Sequence, residues 1–243
     1  GPDAARALTN VLRTNDWQAE LRVRDGRVLI DAVEPGRPLL GLAVDLGTTN
    51  VAGFLIDLRS GERLAGFGIE NPQVGWGGDV ISRINGAAKD AQCAADLTAV
   101  IRQSLSVLAH DLCHAIKARP QDIVEMAICG NTAMHHLLLG LPVLQLGKAP
   151  FVASVRSHMT VPAASLGLEI CPQANVHAIA NIGGFVGGDH VTALLACEDE
   201  WSRAGVTVVM DIGTNTEISV IHDGEIRSAS SPSGPALEGG NIS

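Results

Sequence analysis

The amino-acid sequence predicts an α/β fold, in which short apolar strands alternate with amphipathic helices. Two observations carry this prediction. Strand-like and helix-like patterns follow one another along the chain from residue 40 onward. In addition, a strand followed by an acidic glycine–threonine turn occurs twice, at residues 45–50 and 211–216. The 243 residues are enough for one large domain or two ordinary domains with real cores.

The first elements of the chain precede the repeated unit. A short helix-like start is followed by two strand-like runs, residues 18–24 and 27–33, which flank Asp25 and Gly26. An Asp-Gly pair between two such runs is typical of a β-hairpin. Prolines and a glycine within residues 35–38 end the pattern. We therefore expect a hairpin ahead of the first repeated unit.

Each repeated unit has the same predicted order of elements. Residues 39–44 and 206–210 are short apolar runs bounded by turn signals, so both are predicted to be buried strands. The acidic turn follows each run, and a second strand is predicted at residues 51–58 and 217–222. A tight Gly-containing turn then leads into a third strand. Each unit is therefore strand, polar turn, strand, tight turn and strand.

The residue types of the two turns suit an anion. Gly47 and Gly213 permit positive φ and place no Cβ between the backbone N–H groups and a ligand. The hydroxyls of Thr48, Thr49 and Thr214 add hydrogen-bond donors for phosphate oxygens. Two such turns, far apart in one chain and in matching contexts, predict two walls that bind one phosphate chain between them.

An acidic residue begins each turn, at Asp45 and Asp211. A carboxylate beside a bare phosphate is repelled by it, so these positions make sense when a hard cation lies between them. Mg²⁺ keeps several waters and joins carboxylates to nucleotide phosphates. The sequence therefore predicts a magnesium nucleoside polyphosphate as ligand.

Helices and strands alternate between the two units. Asp79 is predicted as the N-cap of a helix, and a longer helix follows with an apolar stripe over residues 97–116. Residues 123–129 form a predicted buried strand, which leads to Asn131 as the cap of a helix that ends at Gly140. This alternation places the middle of the chain in an α/β lobe.

A glycine-rich turn at residues 183–188 precedes another predicted helix, with Asp189 as its cap. Glycines let a backbone approach phosphate closely or act as a hinge, which makes Gly187 and Gly188 candidate ligand contacts. The alternative is a plain entry into a helix.

Composition excludes several classes of function. The net charge of −9 argues against a nucleic-acid partner, which requires a basic stripe. No apolar run approaches the roughly 20 residues of a membrane helix, so we expect no membrane partner and a cytoplasmic protein. The five cysteines are scattered and odd in number, which favours reduced thiols over a disulfide framework.

The two turns resemble the paired phosphate motifs of the actin-like ATPase superfamily, which has a ribonuclease H-like fold and includes sugar kinases, acetate kinases and heat-shock chaperones. Further stretches resemble one narrower group, the ATP-dependent reductive activators of corrinoid proteins. These stretches are residues 71–73, 78–84, 129–136, 182–189 and 234–239.

The resemblance implies how the chain is organised. Residues 1–38 would be the tail of a preceding domain or a linker, residues 39–200 the first lobe, and residues 201–243 the opening hairpin of a truncated second lobe. Relatives place the adenosine-binding loop further on, and an N-terminal [2Fe-2S] domain is expected in the full-length protein but not in this chain. A lobe that is only begun is expected to expose apolar surface.

The resemblance also implies a function, namely hydrolysis of Mg-ATP coupled to reduction of Co(II) to Co(I) in a corrinoid protein of a methyltransferase system. It leaves a homodimer open. Asp45 and Asp211 would hold the metal, and Asp45, Asp211 or Glu217 would orient the attacking water. The predicted nucleotide contacts are Gly47, Thr48, Thr49, Asn50, Gly213, Thr214, Asn215, Thr216, Gly187 and Gly188, and the predicted partner contacts are Asn71, Gln73, Asp79, His135 and Ser233.

Two other functions fit the same scaffold. A small-molecule kinase would use the cleft between the lobes for a sugar or carboxylate, and a non-hydrolysing module would bind a corrinoid protein without ATP turnover. Fold alone does not separate these functions. Ser233 could contact phosphate instead of a partner. Two of the expected partner contacts also have plainer interpretations, because His135 suits a buried core position and Ser233 lies in an ordinary Ser-Pro loop.

Overall fold

The computed structural model describes residues 2–26, 28–203 and 205–234, and their centre is a six-stranded mixed sheet. In chain order the elements are α1 (Pro2–Thr14), β1 (Glu20–Arg24), β2 (Val28–Val33), β3 (Leu40–Leu46), β4 (Asn50–Asp57), β5 (Arg63–Glu70), α2 (Val80–Lys89), α3 (Ala91–Ala115), β6 (Ile123–Gly130), α4 (Thr132–Leu139), β7 (Met159–Pro162), β8 (Asn175–Ala178), α5 (Gly188–Ala196), α6 (Glu198–Trp201), β9 (Val206–Ile212), β10 (Asn215–His222) and β11 (Glu225–Pro232). The predicted α/β class is confirmed.

The central sheet has the strand order β5-β4-β3-β6-β8-β7. Strands β3, β6 and β8 are parallel, whereas β4, β5 and β7 run antiparallel to their neighbours. Helix α3 packs against β4 and β5 through the predicted apolar stripe, whose members Leu97, Ile101, Leu105, Leu108 and Leu112 are buried. The carboxyl ends of β3 and β6 meet at one edge of the sheet, which is where α/β sheets bind ligands.

Helix ends in the first lobe follow local sequence rules. Asp79 caps α2 by accepting a hydrogen bond from the N–H of Ser82 at 2.8 Å. Asn131 caps α4 in the same way, and Gly140 ends that helix with a φ of 70°. Both predicted caps and the predicted end are confirmed.

The predicted cap at Asp189 is wrong. Helix α5 begins at Gly188 with Gly187 as its N-cap, so Asp189 lies inside the first turn. Its carboxylate accepts a hydrogen bond from the N–H of His190 at 2.8 Å. This shift of the helix start leaves the carboxylate pointing toward other charged groups instead of closing the helix end.

The N-terminal segment forms the predicted hairpin, with β1 antiparallel to β2. Asp122 attaches this segment to the central sheet, because its carboxylate bonds Arg22 at 3.0 Å and also Arg37. Asp122 and Arg22 are both almost fully buried, with exposed side-chain fractions of 1% each. The segment is therefore held by a buried cluster of charges as well as by apolar contacts.

The second sheet contains β11, β10 and β9, all antiparallel. The prediction that residues 206–210 form a buried strand is wrong in one respect: the strand forms, but Val206, Val208, Met210 and Ile212 are 50% to 63% exposed. Within the described residues, α5 packs on β9, and the face that carries these four side chains is left uncovered. The expected exposure of apolar surface is confirmed.

All five cysteines are free thiols in the structure, as the sequence predicted. Within the described ranges, the helices are all too short or too polar to cross a membrane.

Candidate functional site

The two repeated turns face one cleft with a volume of about 250 Å³. Asp45 and Asp211 both line this cleft, so the structure brings the paired acids together. The residues that line it are Asp45, Gly47, Thr48, Thr49, Asn50, Asn131, Asp189, Asp211, Ile212, Gly213, Thr214, Asn215 and Glu217. Ten of the residues predicted as ligand, metal or catalytic contacts are among them.

The two hairpins are paired in the same way, but their turns differ in length by one residue. In the first hairpin, Asp45 lies opposite Ala52, and in the second, Asp211 lies opposite Glu217. The first turn places four residues, 47–50, between its last paired residues, whereas the second places three, 213–215. The second wall of the cleft therefore carries two carboxylates where the first carries one.

Acidic side chains are concentrated in the cleft. Burial, together with the neighbouring charges of Glu217, Asp211 and Asp45, raises the pKa of Asp189 to about 7, although a hydrogen bond from the N–H of His190 opposes the shift. Burial also raises the pKa of Glu217, with a smaller contribution from Asp211, although a hydrogen bond of 2.8 Å from Ser230 Oγ to Glu217 Oε1 opposes the shift. Burial is the larger cause of both shifts, and repulsion between neighbouring carboxylates adds to it; a bound cation would relieve that repulsion.

The carboxylates do not form a direct coordination sphere for a metal. Within the part of the chain that the structure describes, no group of three or more His, Cys, Asp or Glu side chains is placed to hold one ion. Mg²⁺ is usually held through one or two carboxylates and retains several waters. The arrangement therefore suits a hydrated magnesium ion better than a dehydrated metal such as zinc.

Gly47 is required for a different reason from the one predicted. Its backbone does not have a left-handed φ, but a Cβ at this position would lie 2.6 Å from the carbonyl oxygen of Asn50. Any side chain would therefore collide with the backbone of its own turn. Glycine lets the turn close tightly enough for its peptide groups to line the cleft.

Gly187 and Gly188, predicted as nucleotide contacts, do not line the cleft. A Cβ on Gly187 would lie 2.4 Å from the Cα atom of Asn131, and the N–H of Gly188 donates to Asn181 Oδ1 at 3.1 Å. These glycines instead let the start of α5 pack closely against the end of β6. This packing carries Asp189 into the cleft.

Thr216 was also predicted to contact the ligand, but it is buried and lies outside the cleft lining. Its hydroxyl donates to Ser233 Oγ at 2.8 Å. Residues 235–239, part of the resemblance at 234–239, lie outside the described residues.

The predicted partner contacts are mostly interior. Asn71 and Gln73 are fully buried, and His135 is 5% exposed, so a surface role does not fit these three side chains. Burial also lowers the pKa of His135 to about 4, which keeps the ring neutral at physiological pH. Asp79 is exposed but is used as a helix cap, and Ser233 is exposed at the end of β11.

The sequence did not identify Asn131 and Asp189 as cleft residues, because both were interpreted only as helix caps. Asn131 follows the parallel strand β6 and donates from Nδ2 to Thr48 Oγ1 at 2.9 Å. The position of Asn131 at the carboxyl end of a predicted parallel strand was a usable signal. No comparable signal marked Asp189, because only the packing of α5 brings it to the cleft.

We predict that Asp189→Asn stabilises the protein in the absence of ligand, and does so in a pH-dependent way. The folded-state pKa of about 7 exceeds the ordinary value of 3.8, so wild-type stability is lost as pH rises from about 4 through 7. The neutral amide avoids this loss. Urea unfolding should show a gain of about 2 kcal/mol at pH 8, discounted for partial exposure, and little gain at pH 4.

Asp199→Asn is the matched control, because the Asp199 side chain is 89% exposed. Its effect should be small at both pH values. A gain for Asp189→Asn that is equal at pH 4 and pH 8 would contradict the electrostatic explanation.

Comparison with known proteins gives concordant results. A family model described as the RACo middle region matches residues 40–200, and a model described as the C-terminal domain of RACo, the ASKHA domain, matches residues 205–243. The corrinoid activation enzyme RamQ of Eubacterium limosum is 34% identical over 221 residues, which is 89% of this chain and 37% of that protein.

A solved structure described as a reductive activator for corrinoid, iron-sulfur protein superposes with a TM-score of 0.87 at 28% identity. The superposition covers 99% of this chain and 39% of that structure. The chain thus spans less than two-fifths of the length of either relative. Because the first family model alone covers more than half of the chain, the chain belongs to the RACo family and has the actin-like ATPase fold.

Proposed function

We propose that this chain binds and hydrolyses Mg-ATP as the nucleotide-dependent part of a cytoplasmic reductive activator of corrinoid proteins. The single observation that carries the proposal is the pair of matched hairpin turns, which face each other across one acidic cleft. RamQ and the solved reductive activator, both similar to this chain, have names that refer to corrinoid activation. Membership of the family supports the same reading.

The cleft suits the phosphate part of the nucleotide. Its volume of about 250 Å³ lies below the range of roughly 300–1,000 Å³ for pockets that enclose a whole drug-sized ligand. The turn residues Gly47, Thr48 and Thr49 form one wall, and Gly213 and Thr214 form the other. The backbone N–H groups of Thr48 and Thr49 and the threonine hydroxyls would donate hydrogen bonds to phosphate oxygens. The N–H of Gly213 instead donates within its own turn, to Asn215 O at 3.0 Å. Asn50 and Asn215 add amide groups at the edges of the turns.

Asp45 and Asp211 are the residues that would hold a hydrated magnesium ion. They lie on opposite walls of the cleft, and two further carboxyl groups, those of Asp189 and Glu217, line it as well. The residues therefore fit the ion. When bound, Mg²⁺ neutralises phosphate charge and stabilises charge that develops on the transferring phosphoryl group.

Glu217 is the group that we assign to orient the attacking water. Asp45 and Asp211 would be engaged with the cation, whereas Glu217 lies across the strand pair from Asp211 and is held by Ser230. Its raised pKa moves it toward the range in which a carboxylate accepts a proton efficiently at neutral pH. Water attacks the γ-phosphorus, the bond to the ADP oxygen breaks, and ADP and inorganic phosphate leave.

We do not assign the electron for corrinoid reduction to the described residues. A [2Fe-2S] cluster needs four nearby thiolates or imidazoles, and within the described residues no three His, Cys, Asp or Glu side chains are grouped to hold a metal. The proposal therefore assigns to this chain only the nucleotide-dependent step. Closure of the two walls on ATP and their release after hydrolysis would alter the surface offered to the corrinoid protein.

The test is ATP hydrolysis by the intact protein with and without a corrinoid protein in its Co(II) state. Phosphate release should be stimulated by the corrinoid protein, and Co(I) should form only when ATP and an electron donor are both present. Transfer of phosphate to a metabolite would instead indicate a small-molecule kinase. Binding of the corrinoid protein without any ATP turnover would indicate a non-hydrolysing module.

A further inference from the structure

The carbonyl groups of the first turn are hydrogen-bonded from the side opposite the cleft. The carbonyl oxygen of Gly47 accepts from Asn71 Nδ2 at 2.8 Å, and that of Thr49 accepts from the backbone N–H of Asn71 at 2.7 Å. Between them, the carbonyl oxygen of Thr48 accepts from Arg83 Nη2 at 2.6 Å. Three consecutive carbonyls are thus fixed by two buried residues.

This bonding determines where the amide groups of the turn point. A trans peptide is planar, so the carbonyl of one residue and the N–H of the next point in opposite directions. Because the carbonyls of Gly47 and Thr48 are held toward the interior, the N–H groups of Thr48 and Thr49 point toward the cleft. The donors behind the turn therefore set the direction of the donors that meet a ligand.

The second turn is held in the same way. The carbonyl oxygen of Gly213 accepts from Ser233 Oγ at 2.8 Å. That of Thr214 accepts from the N–H groups of Ser233 and Gly234, at 3.2 Å and 2.9 Å. Ser233 directly follows β11, just as Asn71 directly follows β5. The duplication therefore extends to the residue that ends each three-stranded unit, although one is asparagine and the other serine.

The first turn has an additional component, a buried cation. Arg83 is fully buried, and besides Thr48 it donates to Gly77 O at 2.9 Å and to Gln73 Oε1 at 3.3 Å. Within the described residues it forms no ion pair, and the carboxylate of Asp79 acts on it only through space. Burial lowers the pKa of Arg83 to about 10, so the guanidinium stays charged at neutral pH. Its charge is available to attract an anion across the turn.

We propose that Asn71 and Ser233 are matched positioning residues, which bind the turn carbonyls from behind and so direct the turn amides at the phosphates. Arg83 shares this role in the first turn and adds positive charge there. This inference rests on the proposed function and deepens it, because it gives Asn71, Ser233 and Arg83 a role in orienting the turn amides without direct contact with the nucleotide.

Ser233→Ala tests the inference at an exposed site, where the substitution leaves the core intact. Binding of the Mg²⁺ complex of the non-hydrolysable analogue AMP-PNP to the intact protein should weaken about three- to tenfold, because one carbonyl loses its donor. The melting temperature without ligand should fall only slightly, because the buried hydroxyl of Thr216 also loses Ser233 Oγ as its acceptor. Binding is therefore measured well below that temperature. Ser231→Ala is the matched control, since it removes a hydroxyl that is exposed, lies two residues away and is outside the cleft lining.

Comparison of Arg83→Lys with Arg83→Met distinguishes the effect of the positive charge at residue 83 from the effect of the hydrogen bonds that Arg83 makes. Lysine keeps the charge and should retain most of the AMP-PNP affinity, whereas methionine should lose at least about tenfold and show a weaker dependence of affinity on salt. Equal losses of AMP-PNP affinity in both variants, with an unchanged salt dependence of the affinity, would show that the charge of Arg83 plays no part in binding.

The outcomes distinguish the two levels of proposal. If the wild-type protein does not bind Mg-AMP-PNP, the proposed function fails. If it binds and Ser233→Ala binds equally well, only the positioning inference is overturned.

Discussion

Asp211→Asn is expected to lower kcat/KM for ATP hydrolysis by about 100-fold, the usual cost of removing one charge-stabilising group from an active site. Asp211 lines the cleft opposite Asp45 and lies across the strand pair from Glu217. The amide keeps the shape of the side chain but loses the charge that, under the proposed function, would bind a hydrated cation. The apparent affinity for Mg²⁺, measured from the magnesium dependence of the rate, should fall about 10- to 100-fold.

The same variant should be at least as stable as the wild type. The charge of Asp211 contributes to the raised pKa of Asp189 and Glu217, so its removal relieves repulsion in the folded state. Loss of activity together with an undiminished melting temperature excludes unfolding as the cause. Asp223→Asn is the matched control, because Asp223 lies in the turn between β10 and β11, at the opposite end of the same sheet, with an 83% exposed side chain. Full activity of Asp211→Asn at ordinary Mg²⁺ concentrations would refute the assigned role.

Asp122→Ala is expected to lower the free energy of unfolding by about 3–5 kcal/mol, the usual cost of breaking a buried ion pair from one side. The Asp122 carboxylate accepts from Arg22 at 3.0 Å, from Arg37 and from the N–H of Arg119 at 2.9 Å. Without it, the almost fully buried guanidinium of Arg22 keeps only carbonyl partners, Pro38 O and Gln121 O. Urea unfolding of the chain measures the loss.

The pH dependence gives a second check on this cluster. Burial raises the pKa of Asp122, but the hydrogen bonds from Arg119, Arg22 and Arg37 outweigh this effect, and the net pKa is lowered. Its contribution to stability is therefore present above the ordinary Asp pKa of 3.8 and is lost as pH falls below it. The alanine variant should lack this component of acid destabilisation.

Glu34→Ala is the control for Asp122→Ala. Glu34 pairs with Arg119 at 2.9 Å, but its side chain is 37% exposed, so its loss should cost less than about 1 kcal/mol. A similar loss of unfolding free energy in the two variants would show that burial of the Asp122 cluster does not add to stability.

Features that depend on a few neighbouring residues could be predicted from the sequence. Asp79 and Asn131 each have a short polar side chain ahead of a helix, and each caps that helix in the structure. The repeated turns were recognisable because the same residue types recur in the same order. The meeting of Asp45 and Asp211 in one cleft followed from that repeat.

Features that depend on packing could not be predicted in this way. Asn71 and Gln73 are polar residues of a Gly- and Pro-containing loop, a context that usually indicates the surface, yet both are buried. The reason is that buried carbonyls need donors, and Asn71 supplies two of them to the first turn. Asp189 reaches the cleft only because Gly187 lets α5 approach Asn131. No pattern in the local sequence encodes that approach.

The two hairpins that face the cleft contribute different charged groups, so the two ends of the cleft are not equivalent. A phosphate chain between identical walls would have the same energy when turned end for end. Here the first hairpin contributes the single carboxylate of Asp45, with the buried guanidinium of Arg83 behind its turn, whereas the second hairpin contributes both Asp211 and Glu217. Under the proposed function, a phosphate chain turned end for end would therefore meet unlike groups.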